Sequence, residues 1–297
     1  MLPAPTGGVL VTAAMPPLDG VTHRWVDVGG LQVHVAEAGR GAPLVLLHGW
    51  PQHWWCWRSV VPLLQDHYRL VMPDLRGHGW TGAPPGGYDK EQLATDLLGV
   101  LDALELDQVG LVGHDWGGWT GFLAALRAPE RFSAFLALGI VHPFQRPTLG
   151  RALQSWRLAY QVGLATPVLP EVLLRSSPHL VEQVIAAGTS RREVFADGQA
   201  RTYGEVLQEP ARARASVLLY RSMVLREGLP VVLGRYRDRS LTVPTRLVVG
   251  DGDPVAAPPL LEGAPPGVEV EVLPGVGHFV PEEAPGAVAE RARALFG

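Results

Sequence analysis

The 297-residue sequence contains a single cysteine, Cys56, and a single lysine, Lys90. One cysteine cannot form an internal disulfide, so the sequence gives no sign of an oxidising compartment. With 25 basic and 29 acidic residues, the chain lacks the positive charge that a nucleic-acid-binding surface requires. Proline, glycine or charge interrupts every apolar run before it reaches the length of a transmembrane helix. We therefore expect a cytoplasmic protein that has neither nucleic acid nor a membrane as a partner.

Short apolar or alternating runs predict the strands of one sheet. Residues 21–28 and 31–38 alternate apolar and polar side chains around Gly29-Gly30, which is typical of a hairpin. Helical spacing is present over residues 54–64 and 89–104. The alternation predicts an α/β fold, with a mainly parallel eight-stranded sheet and helices on both faces. The six other predicted strands are residues 44–47, 70–72, 109–112, 135–141, 245–249 and 268–273.

Strands and helices stop alternating between about residues 144 and 241. This stretch contains amphipathic runs broken by proline or glycine and no convincing buried strand. We interpret it as a helical insertion that covers the strand ends as a lid. The predicted division is a flexible arm at 1–20, a first core part at 21–143, the lid at 144–241 and a second core part at 242–297. The arm has no positive segment and is a poor match to a signal peptide.

Residues 109–118, VGLVGHDWGG, join a predicted buried strand to a predicted helix. Small residues around Asp115 are typical of a nucleophile elbow, a sharp turn that exposes its middle side chain. We expect crowding in the turn to require Gly113, Gly117 and Gly118. Asp115 is then the candidate nucleophile, beneath the N-terminus of the following helix. The alternative is that Asp115 only caps that helix.

Two further candidates follow later strands. Asp253 lies in a loop after the predicted strand 245–249, and His278 lies in a loop after the predicted strand 268–273. Nucleophile, acid and histidine in this order match the α/β-hydrolase triad. Asp251 is the alternative acid. One base suffices for such a triad, so the other histidines near these loops, His48, His78 and His114, are expected to be structural.

With these residues the sequence resembles the α/β-hydrolase-fold epoxide hydrolases, close relatives of the haloalkane dehalogenases. The resemblance covers the chain from about residue 21 to its end. It rests on the HGxP loop His48-Gly49-Trp50-Pro51, the GHDWGG elbow at 113–118, and similar segments at 74–81, 250–255 and 277–279.

An aspartate nucleophile suits that chemistry. A carboxylate is already ionised near neutral pH and attacks a tetrahedral carbon without a base. The resemblance implies that Asp115 forms an ester with an epoxide carbon, and that His278, oriented by Asp253, activates the water that hydrolyses the ester. Backbone N–H groups of Trp50 and Trp116 would form the oxyanion hole, and the product would be a vicinal diol. We expect no cofactor and no metal.

The resemblance also implies two lid tyrosines that donate to the epoxide oxygen. Tyr220, followed by Arg221, matches the second of them and is the predicted acid. The first departs from the pattern, because Trp156 stands in its place and Tyr160 lies one helical turn further on. The predicted substrate-binding residues are Trp156, Tyr160, His48 and Pro51.

This departure keeps a second function open. Haloalkane dehalogenases use the same aspartyl ester and hold the departing halide with two tryptophan donors, which Trp116 and Trp156 resemble. They usually carry a different residue at the Trp50 position, so the main hypothesis is an epoxide hydrolase. Its substrates would be a small or medium apolar epoxide and water. A catalytically silent hydrolase-fold binding protein is the alternative from another class, and a homodimer is left open.

Overall fold

The computed structural model describes residues 13–144 and 159–297. Eight strands form one sheet in the order β1-β2-β4-β3-β5-β6-β7-β8. The two pairs β1/β2 and β2/β4 are antiparallel, and all later pairs are parallel. The sheet thus confirms the predicted mainly parallel, eight-stranded architecture. The strands are β1 Thr22–Val28, β2 Leu31–Ala38, β3 Ala42–Leu47, β4 Tyr68–Pro73, β5 Val109–His114, β6 Phe132–Leu138, β7 Thr245–Gly250 and β8 Val268–Leu273.

Helices accompany the sheet on both faces. In order they are α1 Val61–Leu64, α2 Lys90–Ala103, α3 Trp116–Arg127, α4 Ala159–Ala165, α5 Leu169–Ser176, α6 His179–Gly188, α7 Gln199–Leu207, α8 Pro210–Ser222, α9 Gly228–Val232, α10 Val280–Glu283 and α11 Pro285–Phe296. Short 3₁₀ turns occupy Trp54–Trp57, Pro129–Arg131, Arg192–Phe195 and Pro258–Leu261, and a π-helical turn spans Met223–Glu227.

The central strand β5 shows why both faces need cover. A side chain on Gly110 would meet Phe296 of α11, whereas Leu111 lies against Gly121 of α3. Successive residues of a strand point to opposite faces, so α3 and α11 cover different sides of the sheet. All six residues of β5 are buried. This double cover explains why the strand is apolar without alternation.

The predicted helix over residues 54–64 is divided in the structure. A 3₁₀ turn at Trp54–Trp57 is followed by a separate α1 at Val61–Leu64. Pro62 occupies the first turn of α1, where a missing N–H costs no hydrogen bond. The same residue would interrupt a continuous helix, which accounts for the division.

All regular structure in the described residues between β6 and β7 is helical. This helical insertion, α4 to α9, contacts the core near the loop that follows β4. Arg212 of α8 is 2% exposed and donates to the carbonyl oxygens of Gly79 at 2.5 Å and Thr81 at 2.9 Å. Two backbone acceptors for one buried guanidinium satisfy much of its donor capacity and place α8 beside the strand ends.

Within residues 13–144 and 159–297, we find no helix with both the length and the apolar character needed to span a membrane.

Candidate active site

Asp115 occupies the turn between β5 and α3. Its backbone has φ 49° and ψ −117°, a conformation that residues with a side chain rarely adopt. The turn is tight, because a Cβ on Gly117 would lie 2.4 Å from the carbonyl oxygen of Leu47. Strand, strained residue and helix therefore follow one another as the motif predicts.

The Asp115 side chain does not cap α3. Asp115 occupies the N-cap position, but its side chain makes no capping hydrogen bond; the backbone N–H of Trp50 donates to its Oδ2 at 3.0 Å. The loop after β3 reaches the carboxylate because residue 49 is glycine, where a Cβ would lie 2.4 Å from the Cβ of Asp115. The capping alternative thus describes the position of Asp115 in the chain but not the bonds of its side chain.

Burial sets the charge state of Asp115. The residue is 7% exposed, and burial raises the pKa of its carboxyl group to about 6. The charge of His278 and the N–H groups of Trp116 and Trp50 oppose this shift. A carboxylate with this pKa is largely ionised at neutral pH, as a nucleophile must be.

His278 and Asp253 form a buried pair. His278 Nδ1 lies 3.1 Å from Asp253 Oδ2 and 3.2 Å from Oδ1. Asp253 Oδ1 also accepts from the N–H groups of Val255 at 2.7 Å and Ala256 at 2.9 Å, which fixes the carboxylate. Asp251 instead accepts from the N–H of Gly275 at 2.8 Å. The structure therefore places Asp253 next to His278 and puts Asp251 in a loop contact.

The second ring nitrogen of His278 is directed towards Asp115. Nε2 lies 3.9 Å from Asp115 Oδ1. Burial alone would lower the pKa of His278, but the charge and hydrogen bond of Asp253, followed by the charge of Asp115, raise it to about 9. The imidazole is thus oriented by one carboxylate and faces the second.

Tyr220 of α8 brings the helical insertion to the same place. It is 2% exposed, and its ring meets the rings of Trp50 and Trp116 edge-on, with centroids 5.2 Å and 5.4 Å apart. Burial, the neighbouring Tyr160 and the Asp115 charge hold the pKa of Tyr220 well above its usual value, although a hydrogen bond with the Trp116 side chain opposes the shift. Tyr220 is a protonated phenol at neutral pH.

Tyr160 of α4 lies beside Tyr220, with ring centroids 6.2 Å apart. Although the residue as a whole is 40% exposed, its phenolic hydroxyl is buried. This burial, followed by the charge of Asp115, raises the pKa of Tyr160. The structure thus brings Tyr160 and Tyr220 of the helical insertion together near the candidate nucleophile. Trp156 lies outside the described residues, so its predicted place in the site stays a prediction.

His48 and Pro51 belong to the loop that carries Trp50. His48 is fully buried; its Nδ1 bonds the carbonyl of Gly49 at 3.0 Å and its Nε2 accepts from the N–H of Leu75 at 2.9 Å. Backbone groups occupy both ring nitrogens, so this geometry favours support of the loop over the predicted substrate contact, which stays a prediction. Pro51 is buried and follows a cis peptide bond.

No group of three or more histidine, cysteine, aspartate or glutamate side chains in the described part of the chain is arranged to hold a metal ion.

Comparison with known proteins identifies the family. The model of the α/β hydrolase fold matches residues 42–285. The soluble epoxide hydrolase of Corynebacterium sp. (strain C12) is 30% identical over 286 residues, which cover 93% of this chain and 97% of that protein. The chain belongs to the epoxide hydrolases of the α/β-hydrolase fold.

Two further comparisons agree with this assignment. Epoxide hydrolase A of Mycobacterium tuberculosis (strain ATCC 25618 / H37Rv) is 29% identical over 314 residues, covering 90% of this chain and 94% of that protein. A solved structure described as epoxide hydrolase CorEH without ligand superimposes with a TM-score of 0.80 at 30% identity, covering 93% and 98% of the two chains.

This epoxide hydrolase homologue also contains site residues that the sequence does not reveal. Ser216 of α8 accepts from the indole Nε1 of Trp50 at 3.0 Å. A single serine without a surrounding motif gives no sequence signal for this contact. Lys90 places its ammonium 4.7 Å from the ring centroid of Trp116 and 3.1 Å from Glu227 Oε2. Being the only lysine is a weak sequence signal for Lys90, but its partner is 137 positions away.

Proposed function

We propose that this member of the family opens a small or medium apolar epoxide to a vicinal diol through a covalent ester on Asp115. The observation that carries the proposal is that two sets of side chains converge on Asp115 from different parts of the fold. A protonated Tyr220 approaches from the helical insertion, and the His278–Asp253 pair approaches from the core, with Nε2 3.9 Å from Oδ1.

In the first step, an oxygen of the Asp115 carboxylate attacks an epoxide carbon. The carbon–oxygen bond of the ring breaks, and the epoxide oxygen takes a proton from the hydroxyl of Tyr220, with Tyr160 as a second donor. The raised pKa of Tyr220 supports this role because it keeps the proton available throughout the neutral range. The result is an ester between Asp115 and the opened substrate.

In the second step, water attacks the carbonyl carbon of the ester. His278 removes the proton of that water, and Asp253 stabilises the imidazolium that forms. Backbone N–H groups of Trp50 and Trp116 stabilise the oxyanion; the Trp50 N–H already donates to Asp115 at 3.0 Å. When the intermediate collapses, the departing diol oxygen takes the proton held by His278. The second proton of the attacking water then passes from the Asp115 carboxyl group to Tyr220, which restores both the carboxylate and the phenol.

The helical insertion, residues 144–241, would act as the lid of the site. Support comes from Tyr220, whose ring packs against Trp50 and Trp116 of the core. These aromatic rings exclude water and favour an apolar substrate. The Trp116 side chain hydrogen-bonds to Tyr220, and the Trp50 indole donates to Ser216. Trp116, one of the two candidate halide donors, is therefore engaged within the protein, which favours the epoxide over a halide-releasing reaction.

Two substrates test the reaction. Styrene oxide should yield its diol, and 1-bromobutane should yield little bromide. Bromide without diol would make the protein a haloalkane dehalogenase, and product from neither would favour a silent binding protein.

Heavy-oxygen water tests the ester. In a single turnover the diol should stay unlabelled, because its new oxygen comes from Asp115, and one labelled oxygen should appear in the peptide that contains Asp115. Label in the diol of that first turnover would mean direct attack by water. The Asp115→Asn variant is the matched control and should form neither ester nor diol.

A further inference from the structure

Glu283 is a buried carboxylate outside the proposed triad. It ends α10, five residues after His278, and is 2% exposed. Its Oε2 accepts from the N–H of Gly277 at 2.8 Å, and its Oε1 accepts from the N–H of Phe279 at 3.0 Å. One carboxylate thus bonds the backbone on both sides of His278.

The same carboxylate also binds the helical insertion. Oε2 accepts from the N–H groups of Ser190 at 2.9 Å and Arg191 at 3.2 Å, which follow α6. The N–H of His278 itself donates to the carbonyl of Gly188 at 2.8 Å. The backbone around His278 is therefore held between Glu283 and residues 188–191. Bonds from N–H groups to an ionised carboxylate are stronger than neutral ones, so the arrangement resists rotation of this loop.

We propose that Glu283 is a positioning residue for ester hydrolysis, holding the His278 loop so that the imidazole stays between Asp253 and Asp115. The inference depends on the proposed function, since it takes His278 as the base of the second step. It also assigns a selective effect: a displaced imidazole impairs hydrolysis of the ester, whereas attack by Asp115 on the epoxide needs no base.

Glu282 provides a matched control. It precedes Glu283 in the chain, is 3% exposed, and forms its bonds with Gln52, Arg58 and Tyr203. Replacing either glutamate by glutamine removes one buried charge and retains the size. Only Glu283→Gln turns an NH₂ group towards the N–H groups beside His278.

Single-turnover kinetics with styrene oxide separate the two steps. In Glu283→Gln we expect ester breakdown to slow at least about 10-fold, ester formation to stay within about 3-fold, and the alkylated enzyme to accumulate in intact mass spectra. Glu282→Gln should keep the wild-type ratio of the two rates. Equal losses in both steps of Glu283→Gln, or an unchanged ratio, would show that Glu283 only stabilises the fold.

The pH profile of ester breakdown is a second measurement. The charged and titratable groups facing His278 are Asp253, Asp115, Glu283 and His114. Burial lowers the pKa of His114 well below its usual value, so His114 stays neutral. Loss of the Glu283 charge should therefore shift the midpoint to lower pH, and Glu282→Gln should leave it in place. A midpoint that does not move in Glu283→Gln would contradict the inference.

Two further variants cover the remaining outcomes. Glu283→Asp keeps the charge but is one methylene shorter, and it should slow ester breakdown less than Glu283→Gln does. If neither Glu283→Gln nor Glu283→Asp folds, hydrogen exchange of the Gly277 and Phe279 amides in the wild-type protein decides. Exchange only at the rate of global unfolding supports the proposed role of Glu283, and faster exchange overturns it. His278→Gln tests the proposed function separately, since an ester must accumulate there whatever Glu283 does.

Discussion

His278 Nε2 and Asp115 Oδ1 lie 3.9 Å apart, too far for a hydrogen bond and close enough for their charges to interact. In the free enzyme the Asp115 carboxylate is one of the groups that raise the pKa of His278 to about 9. Formation of the ester removes that negative charge. The imidazole therefore becomes easier to deprotonate at the stage when the proposed reaction first needs it as a base.

The two half-reactions should consequently depend on pH in different ways. Ester formation requires ionised Asp115, so its rate should rise through pH about 6 and then level off. Ester breakdown requires neutral His278, and its rate should rise with a midpoint below the free-enzyme value of about 9. Rapid-quench measurements of both steps between pH 5 and 10 provide the check. A breakdown midpoint at or above pH 9 would contradict the coupling.

Asp115→Asn should make the protein more stable as well as inactive. Because the folded pKa of about 6 exceeds that of an unfolded aspartate, ionisation of Asp115 opposes folding, and this cost grows as pH rises from about 4 through 6. The variant avoids it and should gain about 3 kcal/mol in the free energy of unfolding at pH 7, and much less at pH 4.

Urea unfolding at the two pH values measures this gain. Asp253→Asn is the control and should lower the free energy of unfolding. Asp253 accepts from Val255, Ala256 and His278, and the variant replaces a charge that those donors stabilise. A destabilised Asp115→Asn at pH 7 would mean that the hydrogen bond from Trp50 outweighs the burial cost of the charge.

The sheet and the order of the site residues can be predicted from sequence, because both depend on local patterns. Buried strands are short apolar runs, and the carboxyl ends of parallel strands share an edge, which brings together the loops that carry Asp115, Asp253 and His278. Strand ends are less predictable. The apolar composition predicts a strand at 135–141, but β6 is Phe132–Leu138, since its pairing with β7 ends at Leu138.

The contacts that support the site are not local, which is why sequence patterns do not reveal them. Glu283 is one of two adjacent glutamates, and only the folded chain shows that it bonds Gly277 and Ser190 while its neighbour does not. The hydrogen bond from the Trp50 indole to Ser216 joins positions 166 residues apart. Such pairs depend on how the helical insertion packs on the core, and helical periodicity specifies only which face is apolar.

Tyr220→Phe should impair the first step selectively. Without the Tyr220 hydroxyl, the departing epoxide oxygen loses its main proton donor, so ester formation should slow about 100-fold. Ester breakdown, which uses His278, should change little. Tyr236→Phe is the matched control, because the hydroxyl of Tyr236 bonds Glu91 at 3.0 Å, away from Asp115. Equal slowing of both steps in Tyr220→Phe would remove its role as the acid.

Lys90 and Glu227 form a buried ion pair that joins α2 to the helical insertion. Lys90 is 1% exposed; its Nζ lies 3.1 Å from Glu227 Oε2, and its backbone N–H donates to Oε1 at 2.9 Å. Its ammonium also lies over the ring of Trp116, next to the candidate nucleophile. Burial lowers the pKa of Lys90 and the Glu227 charge opposes that shift, so each partner offsets the cost of burying the other.

Removal of one partner should therefore cost more than removal of both charges. We expect Lys90→Met and Glu227→Gln each to lower the free energy of unfolding by about 3 kcal/mol, and the double variant to lose less than either single variant. Glu227→Gln keeps an acceptor for the Lys90 N–H. Breaking the exposed pair Arg201–Glu205 by Glu205→Gln should cost less than about 1 kcal/mol. Additive losses for Lys90 and Glu227 in urea unfolding would show that the two side chains contribute independently.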